Sequence, residues 1–454
     1  MTTPPTTTRR QLLRNAAASA ITLGFPTIIP ASALGKDGRP APSNRVTLGC
    51  IGVGGRGNDD MKNFLNDERV QIIAVCDVER GSDRYNKALV KRFGNFGREP
   101  ARDTINKHYG TAGCAMHGDF RELLARKDVD AVLIATPDHW HALQAIASAR
   151  AKKHIYCEKP ISLTIEQGQV MARIVKESGV VWQTGSQQRS DIHFRMACEF
   201  VRNGRIGKLK SVRVGLASQN RDNNGNASRT APEPVPEGLD YAMWLGPAPD
   251  APYCPARLHS NWRWFYDYSG GNLTDFGAHH LDIVQWALDT EHSGPVLFDS
   301  FKAEWPPKDG IYNTPPTFSF ACEYANGVRV KVADKMDFGA GIEFEGENGT
   351  IKCQRGGLVV KPDSARAPLT DKETHLYESK DHYLNFIDGV LTGKPTATDC
   401  EVSHRSISIA HLGNIGLRLG REKLRWDPAK EQIVGDDEAQ KMLSRPMRGE
   451  WRLG

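Results

Sequence analysis

The chain has 454 residues, a length that predicts two or three domains at roughly 100–200 residues per domain. Hydrophobic residues make up 39% and charged residues 25%, the balance of an ordinary globular protein. The formal net charge is +5, but the chain has no concentrated basic run of the kind that nucleic-acid binding requires, so no nucleic-acid partner is expected.

The N-terminus has the pattern of a secretory signal over residues 1–33. Paired arginines, Arg9 and Arg10, precede a weakly apolar stretch and then the A-x-A site Ala31-Ser32-Ala33. The apolar stretch is too short and too interrupted to cross a membrane, so no span is expected in the mature protein. The pair resembles a twin-arginine signal, which implies the twin-arginine export machinery as a partner and a periplasmic or otherwise exported protein. Such cargo folds before export, so we expect a tightly bound cofactor.

A polar linker, residues 34–44, leads to an apolar strand-like run at 46–51. Gly52-Val53-Gly54-Gly55-Arg56-Gly57 follows at once and has the spacing G-x-G-x-x-G, and a helix is predicted from about Asn58 to Asn66. In this motif the glycines permit a tight turn, close approach to a pyrophosphate and packing of helix on strand. The helix N-terminus then attracts the anion.

A second strand, 70–76, ends at Asp77, which lies 20 residues after Gly57. An acid at this place accepts hydrogen bonds from the adenosine ribose and repels a 2′-phosphate. The cofactor is therefore predicted to be NAD, with NADP less favoured, although Arg80 is close enough to weaken the preference. The alternative is that Asp77 is only a turn residue.

Strands and helices continue to alternate to residue 185, which predicts a Rossmann domain over 45–185 with a doubly wound parallel sheet. Strands are expected at 131–135, 154–157 and 180–182, and helices at about 142–151 and 164–178. Ligands bind at the carboxyl ends of such strands. The cofactor-binding residues predicted there are Gly52, Gly54, Gly55, Arg56, Gly57, Asp77, Thr136, Pro137, His139, His141, Glu158, Lys159 and Gln187.

Alternating patterns at 328–332 and 342–345 predict an antiparallel sheet in a second domain, 186–425, with a C-terminal tail at 426–454. Helices are expected near 381–391 and 403–419. Nine cysteines without C-x-x-C spacing favour buried free thiols over disulfides or zinc, and no metal site is predicted.

Four motifs occur in one order: Gly52–Gly57, Ala135–His141 (ATPDHWH), Glu158-Lys159-Pro160 and Asp275–His279 (DFGAH). The chain thereby resembles the glucose–fructose oxidoreductase, inositol dehydrogenase and rhizopine catabolism (Gfo/Idh/MocA) family over about residues 44–425. The resemblance implies a Rossmann domain followed by an α+β domain with a large, mostly antiparallel sheet, whose open face forms homo-oligomers. It also implies that Lys159, Asp275 and His279 are catalytic and that Pro160 follows a cis peptide bond.

Oxidation of an alcohol needs a base for the hydroxyl proton, and His279 is the expected base. On one helix beginning near Asp275, the carboxylate would orient the His279 ring, and Lys159 would donate to the substrate oxygen. His280 beside it is the alternative base. Direct substrate roles for His139 and His141 are open as well.

The expected function is NAD-dependent hydride transfer between a tightly bound nicotinamide and a hydroxyl of a sugar or polyol that the sequence does not name. The alternative is a redox-neutral glycosidase or lyase that acts through a transient keto-sugar, which export favours because it needs no outside electron acceptor. The longer loop 218–228 and the aromatic stretch 241–268 depart from the simplest family members. The aromatic residues there are equally consistent with sugar stacking and with core packing.

Overall fold

The computed structural model describes residues 44–217, 221–222 and 224–454. The predicted signal and nearly all of the linker lie outside these residues, as does part of the loop 218–228. Residues 46–454 group into one unit by their contacts.

The first domain has a six-stranded parallel sheet in the order β3-β2-β1-β4-β5-β6. Reversal of the strand order between β1 and β4 creates the crevice where doubly wound sheets bind ligands. The strands are β1 Val46–Ile51, β2 Val70–Cys76, β3 Ala115–His117, β4 Ala131–Ile134, β5 His154–Cys157 and β6 Trp182–Thr184. The strand predicted at 180–182 is thus β6, displaced by two residues.

Helices cover this sheet, and their ends follow the capping residues. Thr164 accepts a hydrogen bond from the Gln167 backbone N–H at 3.2 Å and begins α6, and Gly179 ends it at φ 67°. The short helices between β2 and β4 were not predicted, because their apolar periodicity is weak. The helices are α1 Gly55–Leu65, α2 Lys87–Phe93, α3 Arg98–Tyr109, α4 Phe120–Leu124, α5 Asp138–Arg150 and α6 Ile165–Ser178.

The second domain contains a nine-stranded sheet in the order β13-β12-β11-β7-β10-β9-β8-β14-β15, antiparallel throughout except for the parallel pair β7 and β10. The fold class that the sequence predicted is confirmed. The strands are β7 Leu209–Gly215, β8 Leu297–Glu304, β9 Thr317–Glu323, β10 Arg329–Ala333, β11 Gly341–Gly346, β12 Thr350–Gln354, β13 Gly357–Lys361, β14 Lys423–Asp427 and β15 Gln432–Val434.

Helices α7, α10 and α12 pack on one face of this sheet. The other face carries charged side chains paired across strands, such as Arg213 with Glu343 and Arg329 with Asp299. The helices are α7 Ile192–Arg202, α8 Tyr241–Leu245, α9 Gly271–Asp275, α10 Gly277–Leu288, α11 His382–Thr392, α12 Cys400–Leu419 and α13 Asp437–Lys441, with 3₁₀ turns at Gln187–Ser190, Pro255–Arg257, Asn261–Trp264 and Asp363–Arg366.

The segment expected to be a C-terminal tail is part of the fold. Strands β14 and β15 extend the second sheet to Val434, and the Trp451 ring lies edge-on to that of Trp140 at 4.8 Å. The mixed polar pattern after residue 425 concealed these short elements. All nine cysteines are buried and unpaired. Within the described ranges, no helix is both long and apolar enough to cross a membrane.

Candidate active site

A cavity of about 850 Å³ lies between the carboxyl ends of the parallel strands and the second domain. Both domains line it, as expected for a site at the switch in strand order. Of the residues predicted from the sequence, those that line the cavity are Gly52, Gly54, Gly55, Arg56, Asp77, Thr136, Pro137, His141, Glu158, Lys159, Gln187, Asp275 and His279. Gly57 and His139 are not among them.

The glycine-rich turn joins β1 to α1 at one end of the cavity. Gly52 has φ 82°, a conformation that residues with a side chain rarely adopt. A Cβ atom at Gly57 would lie 1.9 Å from the Gly52 carbonyl oxygen, so Gly57 permits helix and strand to pack without lining the cavity. A Cβ at Gly54 would meet the ring of Tyr85 at 2.4 Å. Tyr85, which the sequence did not single out, therefore lies directly over this turn.

Asp77 ends β2 beside the same turn. Its carboxylate accepts hydrogen bonds from the Val53 backbone N–H at 2.8 Å and from that of Glu79 at 2.9 Å. Burial raises the pKa of Asp77 despite these bonds. Arg80 does not line the cavity, and its guanidinium is paired with Glu99 at 2.8 Å. The Arg80 guanidinium is therefore directed away from the cavity, so it gives no reason to weaken the predicted preference for NAD over NADP.

A hydrogen-bonded group connects the glycine-rich turn to the end of β5. Arg56 donates to Glu158 Oε1 at 3.2 Å, and Gln187 donates to the same oxygen at 2.8 Å. Burial of Glu158 would raise the pKa of its carboxyl, but Arg56 and Lys159 outweigh that effect and lower it. Glu158 therefore stays ionised and fixes two cavity-lining side chains.

The reaction end of the cavity combines residues from both domains. Lys159 Nζ contacts Asp275 Oδ1 and also donates to the Asp275 carbonyl oxygen at 3.1 Å. Arg263 Nε lies 3.5 Å from Asp275 Oδ2. The Lys159–Pro160 peptide bond is cis, as the family resemblance implied. Two cations thus share one carboxylate at the wall of the cavity.

His279 lies on the next helix, and its setting differs from the prediction. Instead of one helix from Asp275, α9 ends there and α10 begins at Gly277. Asp275 contacts Lys159 and Arg263, and the His279 Nδ1 atom is enclosed without a hydrogen-bond partner in the described chain. No hydrogen bond to the other nitrogen, Nε2, is seen within the described residues, and the His279 side chain lines the cavity.

The protonation state of His279 follows from its surroundings. Burial lowers the pKa of His279 well below 6.5, and the nearby cations Lys159 and Arg355 lower it further. The ring is therefore neutral at neutral pH. His280 is buried too, but it does not line the cavity and lies against Phe194 at a ring distance of 6.3 Å. The structure thus brings His279, and not His280, to the reaction end.

The two histidines of the ATPDHWH motif are held by backbone carbonyls. His139 donates from Nε2 to the Trp244 carbonyl at 2.9 Å. His141 Nδ1 and Nε2 each lie 2.7 Å from a carbonyl oxygen, those of Pro160 and Thr136. Burial lowers the pKa of His141 even though both carbonyls favour its protonated form. Because its ring nitrogens are engaged, His141 joins the ends of β4 and β5.

Sequence reasoning missed Asp138 and Arg355, which both line the cavity. Asp138 belongs to the ATPDHWH motif and is the first residue of α5. An acidic side chain is common at this place because it interacts favourably with the helix dipole. Arg355 lies in the turn between β12 and β13, where an arginine is expected to be exposed to solvent. Its guanidinium lies 5.5 Å from the Phe276 ring centre. Only the long-range fold brings these residues beside Lys159 and His279.

The aromatic stretch packs in the core and also reaches the cavity, and sugar stacking by it stays a prediction. Trp244 and Trp262 belong to a buried cluster that also contains Tyr241, Phe265 and Tyr268, and the two tryptophans line the cavity as well. In the part of the chain that the structure covers, no group of three or more histidine, cysteine, aspartate or glutamate side chains is arranged to hold a metal.

Comparison with known proteins gives two matches that together span nearly all of the described chain. Residues 46–186 match the model for the oxidoreductase family, NAD-binding Rossmann fold (GFO_IDH_MocA). Residues 203–453 match the oxidoreductase family, C-terminal alpha/beta domain (GFO_IDH_MocA_C2).

Three similar proteins illustrate the range. Myo-inositol 2-dehydrogenase of Thermotoga maritima is 30% identical over 259 residues, 56% of this chain and 60% of that protein. Alpha-N-acetylgalactosaminidase of Shewanella oneidensis is 32% identical over 219 residues, 44% of each chain. A levoglucosan dehydrogenase solved with NADH and levoglucosan shares the fold at TM-score 0.59 and 17% identity, over 84% of this chain and 99% of that one. The chain spans about half the length of these two sequence relatives.

Proposed function

Because the chain belongs to the GFO/IDH/MocA oxidoreductase family, we propose that it transfers hydride between a hydroxyl of a sugar or polyol and a tightly bound NAD. The observation that carries this proposal is the position of Lys159, Asp275 and His279 in one cavity with the glycine-rich turn and Asp77. The cofactor and the acid–base groups thereby share a single space, which an alcohol must enter.

The residues present fit the cofactor. The turn Gly52–Gly57 at the start of α1 offers backbone N–H groups to a pyrophosphate, and Asp77 offers a carboxylate to a ribose. When bound, the nicotinamide supplies the hydride acceptor. The dehydrogenase from Thermotoga maritima and the sugar dehydrogenase solved with NADH support this assignment.

Residues of the chain itself would accept the hydroxyl proton and stabilise the substrate oxygen. His279 is neutral and lines the cavity, so its ring can accept the hydroxyl proton as the C–H bond breaks. Lys159 is held by Asp275 and can donate to the same oxygen, which stabilises its negative charge in the transition state.

A covering segment, residues 224–268, supports tight retention of the cofactor. Its backbone joins the chain just after Asp77: the Arg80 N–H donates to the Gly238 carbonyl at 2.9 Å, and the Asp240 N–H donates to the Val78 carbonyl at 3.0 Å. From it His259 reaches Tyr85, with the ring centres 4.2 Å apart. His259 and Ser260 line the cavity with φ of 51° and 118°, strained values that cluster at ligand sites.

The proposal includes export through the twin-arginine machinery, on the sequence pattern of residues 1–33. Changing Arg9 and Arg10 to Lys should leave the precursor in the cytoplasm, as seen by fractionation and immunoblotting. Normal periplasmic yield of the double variant would contradict export by this route.

The proposal also includes a homo-oligomer that forms through the open face of the second sheet, where Arg213 is already paired within one chain. A monomer in light scattering would contradict it.

A second candidate is redox-neutral cleavage of a glycoside through a transient keto-sugar. Several relatives support it, since the proteins similar to this chain include glycosyl hydrolase family 109 members and an alpha-N-acetylgalactosaminidase. An exported enzyme with a bound cofactor gains from a cycle that returns the hydride.

The decisive experiment begins with the purified protein and the release of its cofactor by acid, followed by identification of the nucleotide. A separate portion of the protein that keeps its cofactor should be mixed with a panel of pyranosides and polyols while bound NADH is followed at 340 nm and products by chromatography. NADH without bond cleavage supports oxidation alone, and cleavage without net NADH supports the second candidate. Absence of both with every probe would contradict the proposed function.

A further inference from the structure

One carboxyl group in the reaction end has no part in the oxidation described above. Asp138 lines the cavity and is only 2% exposed. It begins α5 directly after β4, and the neighbouring strand β5 is followed by Lys159. The carboxyl ends of adjacent parallel strands place these two residues at the same edge of the sheet.

The second domain holds one oxygen of this carboxyl and leaves the other available. Ser269 Oγ donates to Asp138 Oδ2 at 2.5 Å. Within the described residues no hydrogen bond to Oδ1 is seen, and Asp138 lines the cavity. The next residue strengthens this docking, because the His139 backbone N–H donates to the Tyr268 carbonyl at 3.2 Å.

Burial, together with the surrounding charges, brings the pKa of Asp138 close to neutral pH. Burial raises the pKa of Asp138 to about 7, and Asp275 adds to this effect, whereas Ser269, Arg263 and Lys159 oppose it. A carboxyl in this state exists partly as the acid at neutral pH and can give up a proton. Oxidation of an alcohol needs one base and does not need this acid.

We propose that Asp138 is a further catalytic residue, the acid that protonates the leaving oxygen when the site cleaves a glycoside. This inference rests on the second candidate of the proposed function. After oxidation, the carbon beside the new carbonyl is acidic. Its proton moves to His279, which by then has lost the hydroxyl proton to water, and the C–H electrons form a C=C bond. The C–O bond to the leaving group breaks, its electron pair stays on oxygen, and that oxygen takes the proton of Asp138.

The test compares Asp138→Asn with the wild-type holoenzyme on pyranosides prepared as pairs, one with a methyl and one with a p-nitrophenyl leaving group. Loss of a general acid costs ~10²–10⁴-fold. We expect that loss in cleavage of the methyl glycosides and a much smaller loss with p-nitrophenyl, because nitrophenolate departs without a proton. The single-turnover formation of bound NADH at 340 nm should keep its rate, since Asp138 takes no part in it.

The pH profile gives a second readout that a packing defect does not reproduce. Wild-type cleavage of methyl glycosides should fall as pH rises through about 7, and Asp138→Asn should lack this decline. Ser269→Ala should move the decline to higher pH, because the Ser269 hydrogen bond lowers the pKa of Asp138.

Three outcomes would overturn the inference. Equal losses in NADH formation and in cleavage, without dependence on the leaving group, would make Asp138 a structural residue. If the wild type formed bound NADH but cleaved no glycoside, the acid role of Asp138 would be contradicted, whereas the proposed oxidation would stand. Absence of both reactions would end the proposed function itself, and the inference with it.

Discussion

The two ends of the cavity are built in different ways. At the adenosine end, Asp77 and the turn Gly52–Gly57 come from one stretch of about 25 residues, and backbone N–H groups hold the Asp77 carboxylate. At the reaction end, Lys159 pairs with Asp275 across 116 residues. The first end is therefore built from one local stretch of the chain, whereas the second is assembled from distant parts of it.

This difference indicates where binding and chemistry are separable. Lys159, Asp275 and His279 carry the proposed acid–base chemistry, whereas the turn Gly52–Gly57 and Asp77 carry the proposed cofactor binding. Substitutions at the reaction end should therefore reduce turnover and leave the cofactor content unchanged. Substitutions at the adenosine end should weaken cofactor binding and leave kcat at saturating NAD unchanged.

The largest effect is expected for His279→Ala. Removal of a positioned base should lower kcat by ~10²–10⁴-fold, because the hydroxyl proton then has no acceptor. Bound NAD, measured after acid release, should stay near the wild-type ratio. His280→Ala is the matched control, since that ring lies outside the cavity, and it should cost far less. If instead His280→Ala is the inactive variant, the base has been assigned to the wrong residue and the separation of the two ends needs revision.

Lys159→Met should also reduce turnover strongly, since it removes the donor to the substrate oxygen while keeping a similar stem. The pH profile sharpens the test. Lys159 lowers the pKa of His279, so its removal raises that pKa. A base works only above its pKa, and the acid limb of kcat/KM should therefore move to higher pH in the variant. An unmoved limb would show that the base is not His279. The losses of the two variants should not add, because these residues act as a unit.

The sequence predicts the adenosine end better than the reaction end, because the residues of the adenosine end lie close together along the chain. Spacing alone predicted the turn Gly52–Gly57, β2 and Asp77, because their physics is local. Lys159, Asp275 and His279 came from family resemblance, and their grouping had no local signal. The break at Phe276 was not predicted, since α9 and α10 share one periodic pattern.

Asp138 and Arg355 show what a single sequence omits. An acid at a helix start and an arginine in a hairpin turn have ordinary structural explanations. The end of β4 places Asp138 at the crevice, and the second domain brings Arg355 to the same cavity. The short strands β14 and β15 were missed for a related reason, because β14 is stabilised by pairing with β8, and β15 by pairing with β14, rather than by their own composition.

Asp77→Ala tests the adenosine end. A hydrogen-bonded carboxylate contributes ~1.5–3 kcal/mol, so the Kd for NAD should rise by roughly 10- to 160-fold. Discrimination against NADP should relax, because the repulsion of a 2′-phosphate is removed. Fluorescence titration of the cofactor-free protein with both nucleotides measures this. At saturating NAD, kcat should be close to the wild-type value. Unchanged selectivity would mean that Asp77 only supports the Val53 and Glu79 backbone.

The smallest expected effect concerns the ring pair over the adenosine end. Tyr85 and His259 come from different domains, yet their ring centres lie 4.2 Å apart, and both line the cavity beside Asp77. A contact of this kind contributes ~0.5–1.5 kcal/mol, which corresponds to roughly a 2- to 13-fold change in a rate. Tyr85→Ala should accelerate NAD release by that factor, measured by chase with unlabelled NAD after loading with a radiolabelled form. His259→Ala should do the same, and the double variant should gain little more, because both rings belong to one contact. Tyr377→Ala, at an exposed position outside the cavity, is the control. If Tyr85→Ala released NAD no faster but turned over more slowly, the ring pair would belong to the reaction end, and the two ends could not be varied independently.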